Sequence, residues 1–200
     1  MYYKDITVII AGVGGQGTLL ASTLIGNAAV KSGFKVRISE TFGMSQRGGS
    51  VVTHIRIGEN TYSPITPLHT ADLIIGFEPL ETYRNVLKFL KPKGSVFFNT
   101  RPIYSSEGKK AYPSIEEMVT IMQQLATRVV AVDAINLAVK AGASIMMNMV
   151  MLGASSNMLP FDGQVLRSVI REGIKQNIEA NLSAFDYGMQ VTTHENYFKN

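Results

Sequence analysis

The run Ile6-Thr7-Val8-Ile9-Ile10-Ala11 is apolar or β-branched throughout and ends at a glycine cluster over residues 12–17. Such a run, with no polar alternation, is how a strand buried on both faces reads, so a first strand is expected over residues 6–11. Residues 18–31 carry apolar side chains at helical spacing, and Gly33 stands where it can end that helix. Residues 34–40 then read as a second strand. Strand, glycine turn, helix and strand make a βαβ unit, whose crossover is right-handed in nearly all cases. Residues 50–57 alternate, with Val51, Thr53, Ile55 and Ile57 on one face and Val52, His54 and Arg56 on a wetter one. Residues 72–76 form a short buried strand, and Pro79 suits the first turn of the helix that follows. Lys91 to Gly94 end that helix and lead into a strand over 95–99. Ser114-Ile115-Glu116-Glu117 is a capping box in front of the apolar stripe Ile115, Met118, Val119, Met122, Leu125 and Ala126. A strand over 129–132, a helix capped by Asp133 and ended by Gly142, and helices around 145–152, 162–171 and 174–184 complete the chain. Strands alternating with helices predict an α/β fold: a three-layer Rossmann-like domain with a mostly parallel sheet and a helical C-terminal part.

Composition narrows the chemistry. Two hundred residues, 46% hydrophobic and 17% charged, describe a single domain spanning 1–200, large enough to bury its core without disulfides. With no cysteine, thiolate-held iron–sulfur clusters and a Cys nucleophile are excluded, and a reducing compartment is expected. The histidines are His54, His69 and His194, without HExxH spacing, so no metal centre is expected. The net charge of +4 comes from 19 basic and 15 acidic residues spread along the chain. That distribution suits an acidic partner surface or a phosphate-bearing ligand better than nucleic acid. The N-terminus has no signal-peptide character and no stretch is long enough to span a membrane, so a soluble, cytoplasmic protein is expected.

Two loops stand out. Gly12, Gly14 and Gly17 match GxGxxG between a strand and a helix, where glycines let the backbone approach a pyrophosphate and the helix N-terminus offers free N–H groups. Glu40, ending the second strand, stands where a dinucleotide enzyme keeps its ribose-binding acid. An alternative reading stays open, in which these glycines serve packing or a neighbouring subunit; no Tyr-x-x-x-Lys pair or His–Asp dyad follows. In the second loop, Ser45 and Gln46 offer hydrogen bonds, Arg47 supplies a planar donor fork, and Gly48 and Gly49 allow close approach. A solvated surface loop is the plainer reading. Both loops would lie at the C-terminal ends of neighbouring strands, where open α/β sheets place ligands. Asp72 and Glu78 are expected to stabilise the following turn and helix or to meet a partner, and His54 to be a hydrogen-bonded structural residue. Met146, Met147, Met149 and Met151 fit either core or a subunit interface, with interface preferred because adjacent methionines point in different directions.

Ile10-Ala11-Gly12-Val13-Gly14-Gly15-Gln16-Gly17, the stretch Ser45-Gln46-Arg47-Gly48-Gly49-Ser50 through Gly58, Ser63-Pro64, Ala71-Asp72, Glu78-Pro79-Leu80-Glu81 and the ending Asn181 to Gly188 together resemble the gamma subunit (catalytic domain III) of 2-oxoacid:ferredoxin oxidoreductases. Gly43-Met44-Ser45-Gln46-Arg47-Gly48-Gly49 is most similar to the form in small beta subunits of the indolepyruvate type. The resemblance covers nearly the whole chain. It implies membership of an enzyme that oxidatively decarboxylates a 2-oxoacid on thiamine diphosphate with Mg, passes electrons through iron–sulfur clusters to ferredoxin, and delivers the acyl group to coenzyme A. Thiamine diphosphate and the clusters would sit in large partner subunits, leaving this chain a non-catalytic subunit with no catalytic residue and no cofactor of its own. Gly12, Gly14, Gly15, Gln16 and Gly17 would face the pyrophosphate of coenzyme A or the partner. Glu40 would meet a ribose hydroxyl or pair with Arg37 or Arg47. Ser45, Gln46, Arg47, Gly48 and Gly49 would contact the partner or an anionic group. A gamma subunit for pyruvate or branched-chain oxoacids, a free-standing NAD(P)-binding Rossmann protein and a purely structural module are the alternatives.

Overall fold

A computed structural model describes residues 5–42, 49–59, 61–104 and 112–193. Strand β1 (Ile6–Val13) leads through the glycine turn to helix α1 (Thr18–Lys31) and strand β2 (Val36–Phe42). Strands β3 (Ser50–Ile57) and β4 (Ala71–Gly76) precede α2 (Pro79–Phe89), β5 (Leu90–Asn99), α3 (Ile115–Leu125) and β6 (Arg128–Val132). The chain closes with α4 (Ala134–Ala141), α5 (Met147–Ser155), α6 (Gly163–Gly173) and α7 (Ile178–Thr193). Local signals set several of these boundaries. The Glu78 carboxylate caps α2 just before Pro79, Ser114 caps α3, and Asp133 caps α4.

The six strands form one sheet in the order β2-β3-β1-β4-β5-β6. β1, β4, β5 and β6 pair in parallel, while β3 runs antiparallel to both β1 and β2. The expected βαβ unit is therefore modified: β2 returns parallel to β1 but does not touch it, because β3 folds back between them. A strand so placed gains two pairing partners, and residues 50–57 bury Val51, Thr53, His54, Ile55 and Ile57. The face expected to be wetter is covered in part by the β3–β4 connection, whose Thr66 N–H donates to His54 Nδ1 at 3.3 Å.

Helices lie on both faces. Val8, Ile10, Leu73, Ile75 and Phe97 pack with residues of α1 and of α4 to α7, whereas Ile9, Ala11, Ile74, Val96 and Phe98 pack with α2 and α3. These are the three layers that the alternation of elements calls for. The methionine-rich segment corrects the interface preference. Met146, Met147, Met149 and Met151 are all buried within this chain, because α5 is enclosed by the sheet and by the other C-terminal helices. α5 and α7 approach closely at two glycines: a Cβ on Gly153 would lie 2.0 Å from the Phe185 carbonyl oxygen, and one on Gly188 2.0 Å from that of Val150.

Candidate functional site

α1 and α2 leave β1 and β4 on opposite faces of the sheet, so the carboxyl ends of these two neighbouring strands form the switch point where open α/β sheets place ligands. The glycine turn stands there. Its first fixed element is Gln16, whose Oε1 accepts from the Val13 N–H at 2.8 Å and whose Nε2 donates to the Phe77 carbonyl at 3.0 Å. One carboxamide thus ties the end of β1 to the residue after β4. The glycines fit around it. A Cβ on Gly12 would meet Gln16 Oε1 at 2.7 Å, and Gly17, at φ 79, would put one 2.4 Å from Asn148 Nδ2. Gly15, at φ 97, has nothing within 4 Å of a Cβ position and faces open space. α1 begins without a side-chain cap and without an acidic residue in its first turn, and the Gly15 and Gly17 amides find no acceptor among the described residues.

The second loop returns beside the first. Gly14 N–H donates to the Gly49 carbonyl at 2.9 Å, and Ser50 faces Val13 across the β1–β3 register. Ser45, Gln46, Arg47 and Gly48 lie outside the described residues, as does His194. Gly12, Gly14, Gly15, Gln16, Gly17 and Gly49 are brought together; Glu40 is not. β3 stands between Glu40 and the turn, and the Glu40 carboxylate accepts from Thr53 Oγ1 at 3.0 Å instead of pairing with Arg37. The hairpin of β2 and β3 sets Glu40 one strand away from β1 and its turn. Asp72 is also elsewhere, at the amino edge, where it accepts from the Thr7 N–H at 2.8 Å and pairs with Lys91.

Glu78 caps α2 as its place before Pro79 leads one to expect, while Asn99, Glu81 and Tyr112 at this edge carry no comparable sequence signal. Asn99, ending β5, donates through Nδ2 to the same Phe77 carbonyl at 3.2 Å. Glu78 and Glu81 are buried, 2% and 5% exposed, one turn apart on α2. Glu78 accepts from the Tyr112 hydroxyl at 2.5 Å and from the Ile103 N–H at 3.2 Å; Glu81 accepts from the Ser50 hydroxyl at 2.5 Å and from Arg84 at 2.7 Å. Burial, followed by the hydrogen bond to Glu78, pushes the Tyr112 phenol well above its usual range and keeps it a donor. The i,i+3 spacing of two glutamates after a strand was the available signal, but the partners come from distant segments. Among the described residues no group of three or more His, Asp or Glu could hold a metal ion, and no helix is long and apolar enough to cross a membrane. A cavity of about 440 Å³ lined by His69, Leu90, Lys91 and Leu125 opens at the opposite, amino edge and includes none of the turn residues.

Comparison with known proteins gives the arrangement its context. Residues 7–191 match the family described as pyruvate ferredoxin/flavodoxin oxidoreductase. Indolepyruvate oxidoreductase subunit IorB of Pyrococcus horikoshii is 40% identical over 195 residues, covering 94% of this chain and 96% of that protein. The common gamma subunit of pyruvate/ketoisovalerate oxidoreductases from Thermococcus kodakarensis is 27% identical over 179 residues, covering 88% of this chain and 89% of that one. Among solved structures, the keto/oxoacid ferredoxin oxidoreductase gamma subunit of Geobacter sulfurreducens has the same fold, with a TM-score of 0.68 at 20% identity over 94% of this chain and 98% of that one. So does 2-oxoglutarate:ferredoxin oxidoreductase of Magnetococcus marinus, with 2-oxoglutarate, coenzyme A and succinyl-CoA bound: TM-score 0.71 at 22% identity over 95% of this chain, which spans only 31% of that longer chain.

Proposed function

The chain belongs to the pyruvate ferredoxin/flavodoxin oxidoreductase family, and from that premise we propose that it is the small, non-catalytic subunit of a 2-oxoacid:ferredoxin oxidoreductase acting on indolepyruvate or another aryl-pyruvate. The observation that carries this reading is the near full-length likeness to indolepyruvate oxidoreductase subunits at 40% identity, against 27% for the gamma subunit of pyruvate/ketoisovalerate enzymes.

The donor set supports a division of labour. A chain without cysteine, and without a metal-ligating group among its described residues, does not fit an iron–sulfur cluster or magnesium-bound thiamine diphosphate. Those groups belong to the large partner subunits, through which ferredoxin is reached. Coenzyme A fits better. It supplies the thiol that accepts the acyl group, and the exposed backbone of Gly15, with the amides of Gly15 and Gly17 that find no acceptor among the described residues at an uncapped helix start, suits its pyrophosphate. This chain's part is to bind and orient. Gly12 and Gly14 serve the turn itself, since Gln16 fills the space beside Gly12 and Gly49 holds the Gly14 amide. Arg47, with Ser45 and Gln46, provides the contact to the partner or an anion from the neighbouring loop.

Tagged purification from the native host tests the reading. Co-purification of a larger polypeptide carrying thiamine diphosphate and iron–sulfur clusters, with viologen reduction dependent on an aryl-pyruvate and coenzyme A, is the expected result. Micromolar NADH binding with turnover by the chain alone would falsify it.

A further inference from the structure

Glu78 and Glu81 are the buried acidic residues among those described, and beyond the capping of α2 by Glu78 they have no part in the roles assigned so far. A carboxylate is costly to bury unless its lone pairs find donors. α2 itself supplies only some: the Glu81 N–H to Glu78 at 2.8 Å and the Arg84 guanidinium to Glu81. The remaining donors arrive from other segments, Tyr112 and Ile103 to Glu78 and Ser50 to Glu81. The Ser50 link leads to the glycine turn. Ser50 follows Gly49, and the Gly49 carbonyl accepts the Gly14 N–H at 2.9 Å.

The turn needs such an anchor. Adjacent glycines at 14 and 15, with Gly15 at φ 97, form backbone that loses much conformational freedom on ordering, and α1 offers no side-chain cap to hold it. The geometry points to Glu81 and Ser50 as positioning residues for the glycine turn: Glu81 fixes the Ser50 hydroxyl, Ser50 fixes the Gly49–Ser50 peptide, and the Gly49 carbonyl holds the Gly14 amide. Coenzyme A then meets a turn already in its binding conformation, which lowers the ordering cost of binding. Glu78 instead receives the Ile103 N–H and the Tyr112 hydroxyl. The part of this proposal that concerns coenzyme A rests on the functional reading above; the positioning of the turn does not.

The test uses the assembled complex. Ser50→Ala removes the hydroxyl at little change in volume, Ser50→Thr keeps it, and Tyr112→Phe removes the donor to Glu78 and the acceptor of the Leu80 N–H while leaving the Ser50–Glu81 bond in place. Hydrogen–deuterium exchange of peptides spanning 12–17 reads the turn, and steady-state kinetics read the coenzyme. Ser50→Ala is expected to speed exchange in the turn about tenfold and to raise KM for coenzyme A about tenfold with kcat within about twofold, the size expected from losing one charge-assisted hydrogen bond. Ser50→Thr restores both, and Tyr112→Phe leaves exchange in the turn unchanged. Unaltered exchange in Ser50→Ala overturns the proposal, as does an equal defect in Ser50→Thr. Faster exchange with an unchanged KM upholds the positioning and removes coenzyme A as the group the turn meets. Should the Ser50→Ala complex not assemble, Glu81→Gln is measured in the same way: exchange about threefold faster supports the link, and unaltered exchange overturns it.

Discussion

Gln16 shows how one side chain decides what a glycine motif is for. Its carboxamide bridges Val13 and Phe77 across the switch point, and Gly12 is glycine because Gln16 Oε1 lies where a Cβ would reach. Gln16→Ala leaves the Val13 N–H without its acceptor and takes from the Phe77 carbonyl one of its two donors. A loss of about 1–3 kcal/mol is expected in urea denaturation; an unchanged midpoint would show that the bridge carries no stability. His54 makes a second prediction. Burial first, and the nearby Lys88 charge second, hold its pKa below the ordinary 6.5, and its ring stands edge-on to Phe89 at 5.2 Å. As pH falls below about 6.5 the unfolded chain takes up a proton that the folded chain resists, so the unfolded state binds more protons and stability drops, by at most about 1.4 kcal/mol per pH unit, until the lowered pKa is passed. His54→Gln keeps an acceptor for the Thr66 N–H and no longer titrates. Melting temperatures between about pH 7 and pH 5.5, above the carboxylate range, should fall for the parent and stay nearly level for the variant.

Elements meet at places where their sequences are least talkative. α5 and α7 cross with Gly153 against the Phe185 carbonyl and Gly188 against that of Val150. Neither glycine stands at a turn, and nothing in a helical pattern distinguishes a glycine tolerated from one required. Gly153→Ala or Gly188→Ala would drive a methyl into backbone oxygen and force the helices apart, at a cost of about 3 kcal/mol or more, visible as a large drop in Tm. A change below about 1 kcal/mol would mean that the helices separate freely. The same limit applied to the sheet. Alternation in residues 50–57 identified a strand with the right bounds, but not that it inserts between β1 and β2, because strand order follows from pairings between distant segments. That insertion sets Glu40 one strand away from the turn.

For the whole molecule, the proposed subunit role predicts where association energy resides. Leu19 and Leu20, on the first turn of α1 beside the glycine turn, are 60% and 41% exposed. Leu19→Asp should leave Tm nearly unchanged, since the side chain faces solvent in the free chain, and should reduce co-purification of the large subunits at least about tenfold, as truncating a buried anchor does. Full retention of the partner would place the interface elsewhere. The purified chain alone should contain no iron, and should gain no stability from NADH at concentrations that stabilise dinucleotide enzymes.

The sequence by itself determined the α/β class, the position of nearly every element, the exclusion of cluster chemistry by the missing cysteines and, through two glycine-bearing loops and the C-terminal stretch, the family. Each of these is written in local periodicity, caps or residue type, which need no knowledge of distant contacts. Tertiary structure decided the strand order, the enclosure of the methionines around α5, the Gln16 bridge and the Glu81–Ser50–Gly49–Gly14 link. Ser50 and Glu81 are 31 positions apart, and Gln16 and Phe77 are 61 apart. Buried donors and acceptors choose their partners only after the sheet has brought them within hydrogen-bond reach.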